Sequence, residues 1–339
     1  MPVTLADIAK MANVSESAVS RALQNNPRIS EATRLRVQKL AKELDFEYNA
    51  HARSLSTQRC STIGVILPNF GTRVNHTYYL DLLVNDLRSQ LAARNFDMLI
   101  CDSEYGPTGD SNLRRLVRQR KVDGLIIVVG DLPESDRKII ESHNIPMVLV
   151  NSRSITMAGK SIQGVSSFFT DNIQGGKIAA RHLIERGCRN LLCLADKGAT
   201  PEMLDRTEGF VAGLAEHGLV PRILESESFF PVTRTFILEH LNDIRACDGI
   251  FCHMDLMACA LVKTLHECGI RVPDDIKVVG YDDIEVGTYF SPQLTTIHQP
   301  REAIAEQAVL DLLRRLDSDD PLPETNISVS PRLVVREST

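Results

Sequence analysis

From residue 61 onward, short apolar runs rich in β-branched residues alternate with longer stretches whose apolar residues recur every three or four positions. This alternation constrains the fold more than any other feature of the chain. The runs are "TIGVILP", "FDMLICD", "GLIIVVG", "PMVLVN", "LLCLAD", "GIFCHM" and "IKVVGYDD", and stretches such as "LDLLVNDLRSQLAARN" and "GGKIAARHLIERG" carry the helical period between them. Strand, helix, strand, repeated, gives parallel sheets covered by helices on both faces. Roughly 275 residues in two similar rounds predict two lobes instead of one sheet.

The chain has 339 residues, 43% of them apolar and 24% charged, with 19 Gly and 15 Pro, which is ordinary for a folded globular protein. The N-terminus lacks a basic stretch followed by an apolar run, and no segment approaches the roughly 18 apolar residues of a membrane span, so a cytoplasmic protein with no membrane partner is expected. Eight cysteines are scattered without a C-x-x-C pair, and several lie inside apolar runs, which reads as reduced, buried thiols. Cys252, His253, Cys259, His266 and Cys268 are close in sequence, but their spacing fits no zinc pattern, so neither a metal nor a cofactor is expected. No G-x-G-x-x-G, G-x-S-x-G or H-E-x-x-H is present, and an enzyme is not expected.

Charge divides the chain. Residues 1–59 balance at +3 and the remainder at −9, an asymmetry that assigns an anionic partner to the head alone. Within the head, Thr4 with Asp7 opens a helix on Leu5, Ile8, Ala9 and Ala12. Ser15 caps a second, with Ala18, Val19, Ala22 and Leu23 inward and Glu16, Ser17, Ser20 and Arg21 outward. After "NNPR", Ser30 with Thr33 opens a third, whose buried side is read as Leu35, Val37, Leu40, Ala41 and Leu44. Three short helices with one exposed polar helix fit a small helical domain for protein contacts or a helix-turn-helix, which places its second helix in the major groove while hydroxyls around it hold phosphates.

The patterns "TLADIA" and "VSESAVSR", and the whole run from Thr4 to Leu55, resemble the headpiece of the lactose repressor/galactose repressor family. The resemblance implies that Glu16 and Ser17 read bases and that Arg21 contacts guanine. It also implies that Thr4, Ser15, Ser20, Ser30 and Thr33 bind phosphate, with Arg28 and Asn49 completing the DNA-binding set. A carboxylate at position 16 accepts from cytosine N4 but repels phosphate, so it narrows base choice at the expense of affinity. Residues 48–60 lack an apolar stripe and read as a linker. The resemblance makes them a hinge that becomes helical on operator DNA, with Leu55 wedged into the minor groove, and Tyr48 standing where most members have proline.

In doubly covered sheets, ligands bind outside the carboxyl ends of strands, and the polar residues closing the apolar runs are Asn69, Asp102, Asn151, Asp196 and Asp282. "DRTEGF" and "VVGYDDIEVGTYFSPQLTTIHQP" are similar to landmarks of the same family's effector-binding core, which has a periplasmic-binding-protein-like (type I) fold. This implies that Arg206 and Asp282 engage an effector, that Asn151 and Asp255 flank it, and that Tyr78, Tyr79, Phe229 or Phe230 stack on it, with Gln299 in the same set. Where the family reads A-N-D-x-M-A this chain has "HMDLMA", so an asparagine is gone and His253 joins the candidates, with Arg301, for a charged or modified sugar.

The expected organisation is a helix-turn-helix domain over 1–47, a hinge over 48–60 and a core over 61–338. One lobe of that core spans 61–162 and 300–323, the other 163–299 and 324–338. The expected function is a transcriptional repressor of a carbohydrate catabolic operon. It binds a two-fold symmetric operator as a homodimer and answers to a sugar or sugar-derived effector, the alternative being a core that senses a non-sugar metabolite or a partner protein.

Overall fold

A computed structural model describes the chain apart from residues 1–2, 24, 47–58, 69–76, 104–110, 129–130, 133, 154–155, 158–159, 162–163, 229 and 319. It forms two compact units, Met1–Cys60 and Ser61–Thr339.

In the first unit, α1 (Leu5–Ala12), α2 (Glu16–Leu23) and α3 (Glu31–Glu43) enclose a core of Ile8, Ala9, Ala12, Val19, Ala22, Val37 and Ala41. A full capping box of Thr4 and Asp7 starts α1, and Asn13 ends it in the left-handed region at φ 52°, which turns the chain into α2. Leu35, read as buried, is 58% exposed. Two positions from Val37 is about 200° around a 3.6-residue helix, which puts Leu35 on the opposite face of α3.

In the second unit, the first lobe runs β1 (Thr62–Leu67), α4 (Thr77–Ala92), β2 (Asp97–Asp102), α5 (Asn112–Arg118), β3 (Gly124–Ile127), β4 (Asp131–Leu132) and α6 (Glu134–His143). It continues through β5 (Met147–Val150), β6 (Thr156–Met157), β7 (Lys160–Ser161) and β8 (Ser166–Thr170). The second lobe runs α7 (Asn172–Glu185), β9 (Leu191–Asp196), α8 (Pro201–Ala215), β10 (Arg222–Ser226), α9 (Phe230–Glu239), α10 (Leu241–Arg245) and β11 (Gly249–Cys252). It closes with α11 (Asp255–Glu267), β12 (Lys277–Asp282) and β13 (Thr295–His298). The chain then returns through α12 (Arg301–Asp317) and β14 (Asn326–Val329) and ends in β15 (Arg332–Val334).

Among the described residues, one six-stranded sheet has the order β14-β8-β5-β3-β1-β2 and a second has β10-β9-β11-β12-β13-β15; β4, β6 and β7 form a small third sheet. The pairings are parallel throughout the first large sheet, and in the second all but the β13–β15 pair are parallel. All seven apolar runs are strands here, and period two explains why they are apolar without a break. Ile63, Val65, Val148 and Val150 face one helical layer while Ile66, Met147 and Leu149 face the other. Leu192 and Leu194 are likewise separated from Leu191, Cys193 and Ala195.

The lobe boundaries differ from the sequence reading. Ser166–Thr170 and Asn326–Val329, expected in the second lobe, are hydrogen-bonded strands of the first sheet. Their small polar side chains hide them from a search for apolar runs, since Ser166, Ser167 and Thr170 are buried as hydrogen-bonding residues. The chain therefore crosses between lobes at 170–172, 298–301 and 329–332. No helix among the described residues is long and apolar enough to cross a membrane.

Candidate functional site

The first candidate surface is α2. Val19 and Ala22 anchor it in the core, which turns Glu16, Ser17 and Arg21 outward, all three exposed, with Ser20 half-buried. The Ser15 hydroxyl accepts from the Ala18 amide at 3.2 Å and lies 3.0 Å from the Ser17 hydroxyl, so the first turn presents polar groups. Ser30 caps α3 by accepting from the Thr33 amide, and its hydroxyl lies 2.9 Å from that of Thr33. The Thr4 hydroxyl donates to Asp7 at 2.7 Å and is occupied there; the same hydrogen bonds hold the Asp7 carboxyl below its usual range. Arg28 is exposed in the turn before α3. Hydroxyl-bearing helix N-termini beside an exposed polar helix face suit a polyanion. Asn49 and Leu55 lie outside the described residues.

The second candidate site lies at the carboxyl ends of strands in the two lobes. Arg206, 4% exposed, is held from four sides. Its Nε donates to Asn172 Oδ1 at 3.0 Å, Nη1 donates to the His253 carbonyl at 2.5 Å, Nη1 lies 3.6 Å from Asp282 Oδ1, and the guanidinium sits 3.9 Å from the Tyr281 ring centroid. Asn172 Oδ1 also accepts from the Tyr281 hydroxyl at 3.0 Å, while its amide donates to the Thr170 carbonyl. Gln299, fully buried, donates to Asp282 at 2.7 Å and accepts from Thr170 at 2.9 Å, tying two crossing segments together. On the first lobe, the Tyr79 hydroxyl faces Asn151 Oδ1 at 3.4 Å. Burial and the nearby Asp282 charge push the Tyr79 phenol up, so it stays a neutral donor.

Asn151, Asp282 and Asp283 take φ of 60°, 117° and 55°, in the region that side chains other than glycine rarely adopt. Backbone strain of this kind concentrates where a fold aims side chains at a ligand. Asp283 is then pulled down to about 2 by hydrogen bonds from His298 and Arg336, and so is a fixed negative charge beside the site.

Several sequence candidates belong elsewhere. His253 is fully buried inside the second lobe: Nδ1 accepts from the Asp196 amide at 3.2 Å, Nε2 lies 2.6 Å from the Thr207 hydroxyl, and only its carbonyl meets Arg206. It is a packing histidine with no side-chain atom for a sugar. Asp255, also fully buried, spends Oδ1 on the Thr296 hydroxyl and Oδ2 on the Ile284 amide, so it ties α11 to β13 and to the turn after β12. Arg301 is paired with Asp86 at 3.0 Å. Asp102 is exposed outside this network, as are Tyr78 at 46% and Phe230 at 38%, the latter beneath Lys263. Asp196 is buried in the His253 contact. Gln299 has both polar ends bonded within the protein and supports the site from behind. Asn69 and Phe229 lie outside the described residues. Sequence reasoning missed Asn172, Thr170 and Tyr281: the first two close a strand without an apolar run, and the third reads as core.

The buried imidazole carries a pH prediction. Burial, and then the Arg206 charge, depress His253 to about 3. Unfolded, it titrates near 6.5, so between those values the unfolded chain binds the extra proton. Its contribution to stability is complete above about pH 6.5 and is lost as pH falls toward about 3, at up to about 1.4 kcal/mol per pH unit. Thermal melts in that window should show a shallower decline for His253→Gln than for the wild type. Asp255, raised by burial and by Asp282, acts with the opposite sign in both proteins and drops out of the difference. Identical profiles would refute a buried neutral His253.

A model of bacterial regulatory proteins of the lacI family matches residues 4–49, and one of periplasmic binding protein-like domains matches residues 180–339. The HTH-type transcriptional repressor PurR of Yersinia enterocolitica is 31% identical over 99% of this chain and 96% of its own length. Among solved structures, the lac repressor dimer bound to operator and the anti-inducer ONPF aligns with TM-score 0.79 at 24% identity, over 100% of this chain and 99% of that one. The CelR–cellobiose complex aligns with TM-score 0.70 at 24% identity, over 99% and 100%. At that identity the two structures speak for the fold alone.

Proposed function

We propose that this chain, which belongs to the lacI family of bacterial regulatory proteins, represses a carbohydrate catabolic operon under the control of a small sugar or sugar-derived effector held between its lobes. It is a DNA-binding transcriptional regulator and not an enzyme. The observation that carries the effector reading is the buried Arg206–Asp282 pair, set beside Tyr79 and Asn151 where strands of both lobes end. A guanidinium that donates beside a carboxylate that accepts suits the hydroxyls of a polyol. The helix-turn-helix over 1–47, the hinge over 48–60 with Leu55 as a wedge, and a homodimer on a two-fold operator belong to the same reading.

A non-sugar metabolite is the second reading. Tyr79 and the Arg206–Asp282 pair offer a phenol, a donor fork and an acceptor that suit a heterocycle equally, and likeness to a repressor called PurR puts purine bases into the same screen. Calorimetric titration of the full chain with sugars, sugar acids and purine bases decides between them, and binding by none of these classes sinks the effector reading.

On the DNA side, a selection over random duplexes should return a different half-site for Glu16→Ala than for the wild type, and Arg21→Ala should weaken operator binding by roughly 5- to 150-fold, the loss of one guanine contact. An unchanged consensus would remove Glu16 from the reading surface.

A further inference from the structure

Three crossing segments and the Thr170–Gln299 bond tie the lobes where the chain itself passes between them. An additional tie is made by side chains alone. Arg153 follows β5 of the first lobe, Asp205 lies in α8 of the second, and Arg153 Nη2 bonds Asp205 Oδ2. Both residues stand beyond the carboxyl ends of parallel strands, the edge at which such sheets face their ligand crevice. Each is also a close chain neighbour of the candidate site. Arg153 comes two residues after Asn151, whose side chain faces Tyr79, and Asp205 immediately precedes Arg206. Consecutive helical residues point about 100° apart, so Arg206 turns inward at 4% exposed while the neighbouring carboxylate, 14% exposed, turns to the rim and reaches a half-exposed Arg153.

We propose that Arg153 and Asp205 form an electrostatic latch across the mouth of the interlobe cleft, which biases the ligand-free protein toward the closed arrangement of its lobes and gates access to the Arg206–Asp282 site. The gating of an effector rests on reading that cleft as an effector site; the latch itself does not. The pair is made by two groups that cross no covalent connection, so it opens without unfolding either lobe. Arg153 is half exposed, so the attraction is that of a partly solvated pair and is screened by salt. In a two-state equilibrium a differential interaction multiplies the ratio of the states by an exponential factor, so even a modest one changes it several-fold.

The test needs no small molecule. Dyes are placed at Gln119 and Glu239, exposed residues of the two lobes, and single-molecule energy transfer is recorded on the full chain. The ratio of closed to open molecules should fall by up to about five-fold in Asp205→Asn and in Arg153→Gln, the upper range for a solvated pair. Raising salt from about 0.05 to about 0.5 M should produce the same fall in the wild type and little change in either variant. The charge swap Arg153→Asp with Asp205→Arg should restore the wild-type ratio and its salt response, which a merely structural role for either residue would not do. An unchanged ratio in Arg153→Gln, the variant least able to disturb folding, overturns the latch, as does a swap that behaves like the single variants. Failure of the effector reading would instead appear as absent binding in calorimetry with this distance response intact.

Discussion

Gly209→Ala should lower the stability of the body by about 3 kcal/mol, seen as a fall of roughly 6–12 °C in the thermal midpoint. Helix propensity alone argues the other way, since alanine in a helix is favoured over glycine by about 1 kcal/mol. Geometry decides the sign. A Cβ at Gly209 would lie 2.0 Å from the Ile173 carbonyl oxygen, and one at Gly176 would lie 2.1 Å from the Arg206 carbonyl oxygen. These neighbours are backbone, which cannot rotate aside as a side chain can, so α7 and α8 must separate along their length. The two helices carry Asn172 and Arg206, and their closeness is what lets Asn172 Oδ1 reach Arg206 Nε. Gly176→Ala should behave the same way, and both variants should lose small-molecule binding along with stability. A midpoint within about 2 °C of the wild type would show that the helices part without penalty.

The same pair of helices shows what a sequence does and does not declare. The period of "GGKIAARHLIERG" announces a helix, and the seven apolar runs announce strands, because burial on both faces of a parallel sheet leaves only apolar side chains. Ser166–Thr170 is as deep in its sheet, yet Ser166, Ser167 and Thr170 are buried through hydrogen bonds, a form of burial that hydropathy does not register. The lobe boundaries shifted for that reason. Four of the candidates, Arg206, Asp282, Asn151 and Tyr79, are near one another in the structure, but the residues that orient them were not legible. Asn172 acts through contacts with residues 34 and 109 positions away, and no local pattern encodes such a meeting. His253 failed in the opposite direction: standing where the family pattern has Ala-Asn, it reads as an effector contact, whereas both its ring nitrogens face groups within the second lobe. Leu35 shows the limit of counting apolar residues on a short helix without fixing their phase.

Arg206→Ala is expected to do two separable things. As an effector residue, its loss should abolish any small-molecule control of operator binding, because a ligand that no longer binds cannot bias two states. As a structural residue, its loss should also cost about 3–5 kcal/mol, since truncation strips a buried carboxylate of its opposite charge and leaves Asn172 and the His253 carbonyl each short of a donor. The thermal midpoint should therefore fall by roughly 6–20 °C, while operator binding at low temperature, measured without small molecule, stays near that of the wild type. The double variant Arg206→Met with Asp282→Asn separates the roles. Removing both charges and keeping an apolar filler relieves the stranded carboxylate, so it should recover much of the lost stability without recovering the response. Two results would contradict this account: Arg206→Ala as stable as the wild type, which would mean the pair is open to water, or a double variant that still answers to the same small molecule, which would place the effector elsewhere.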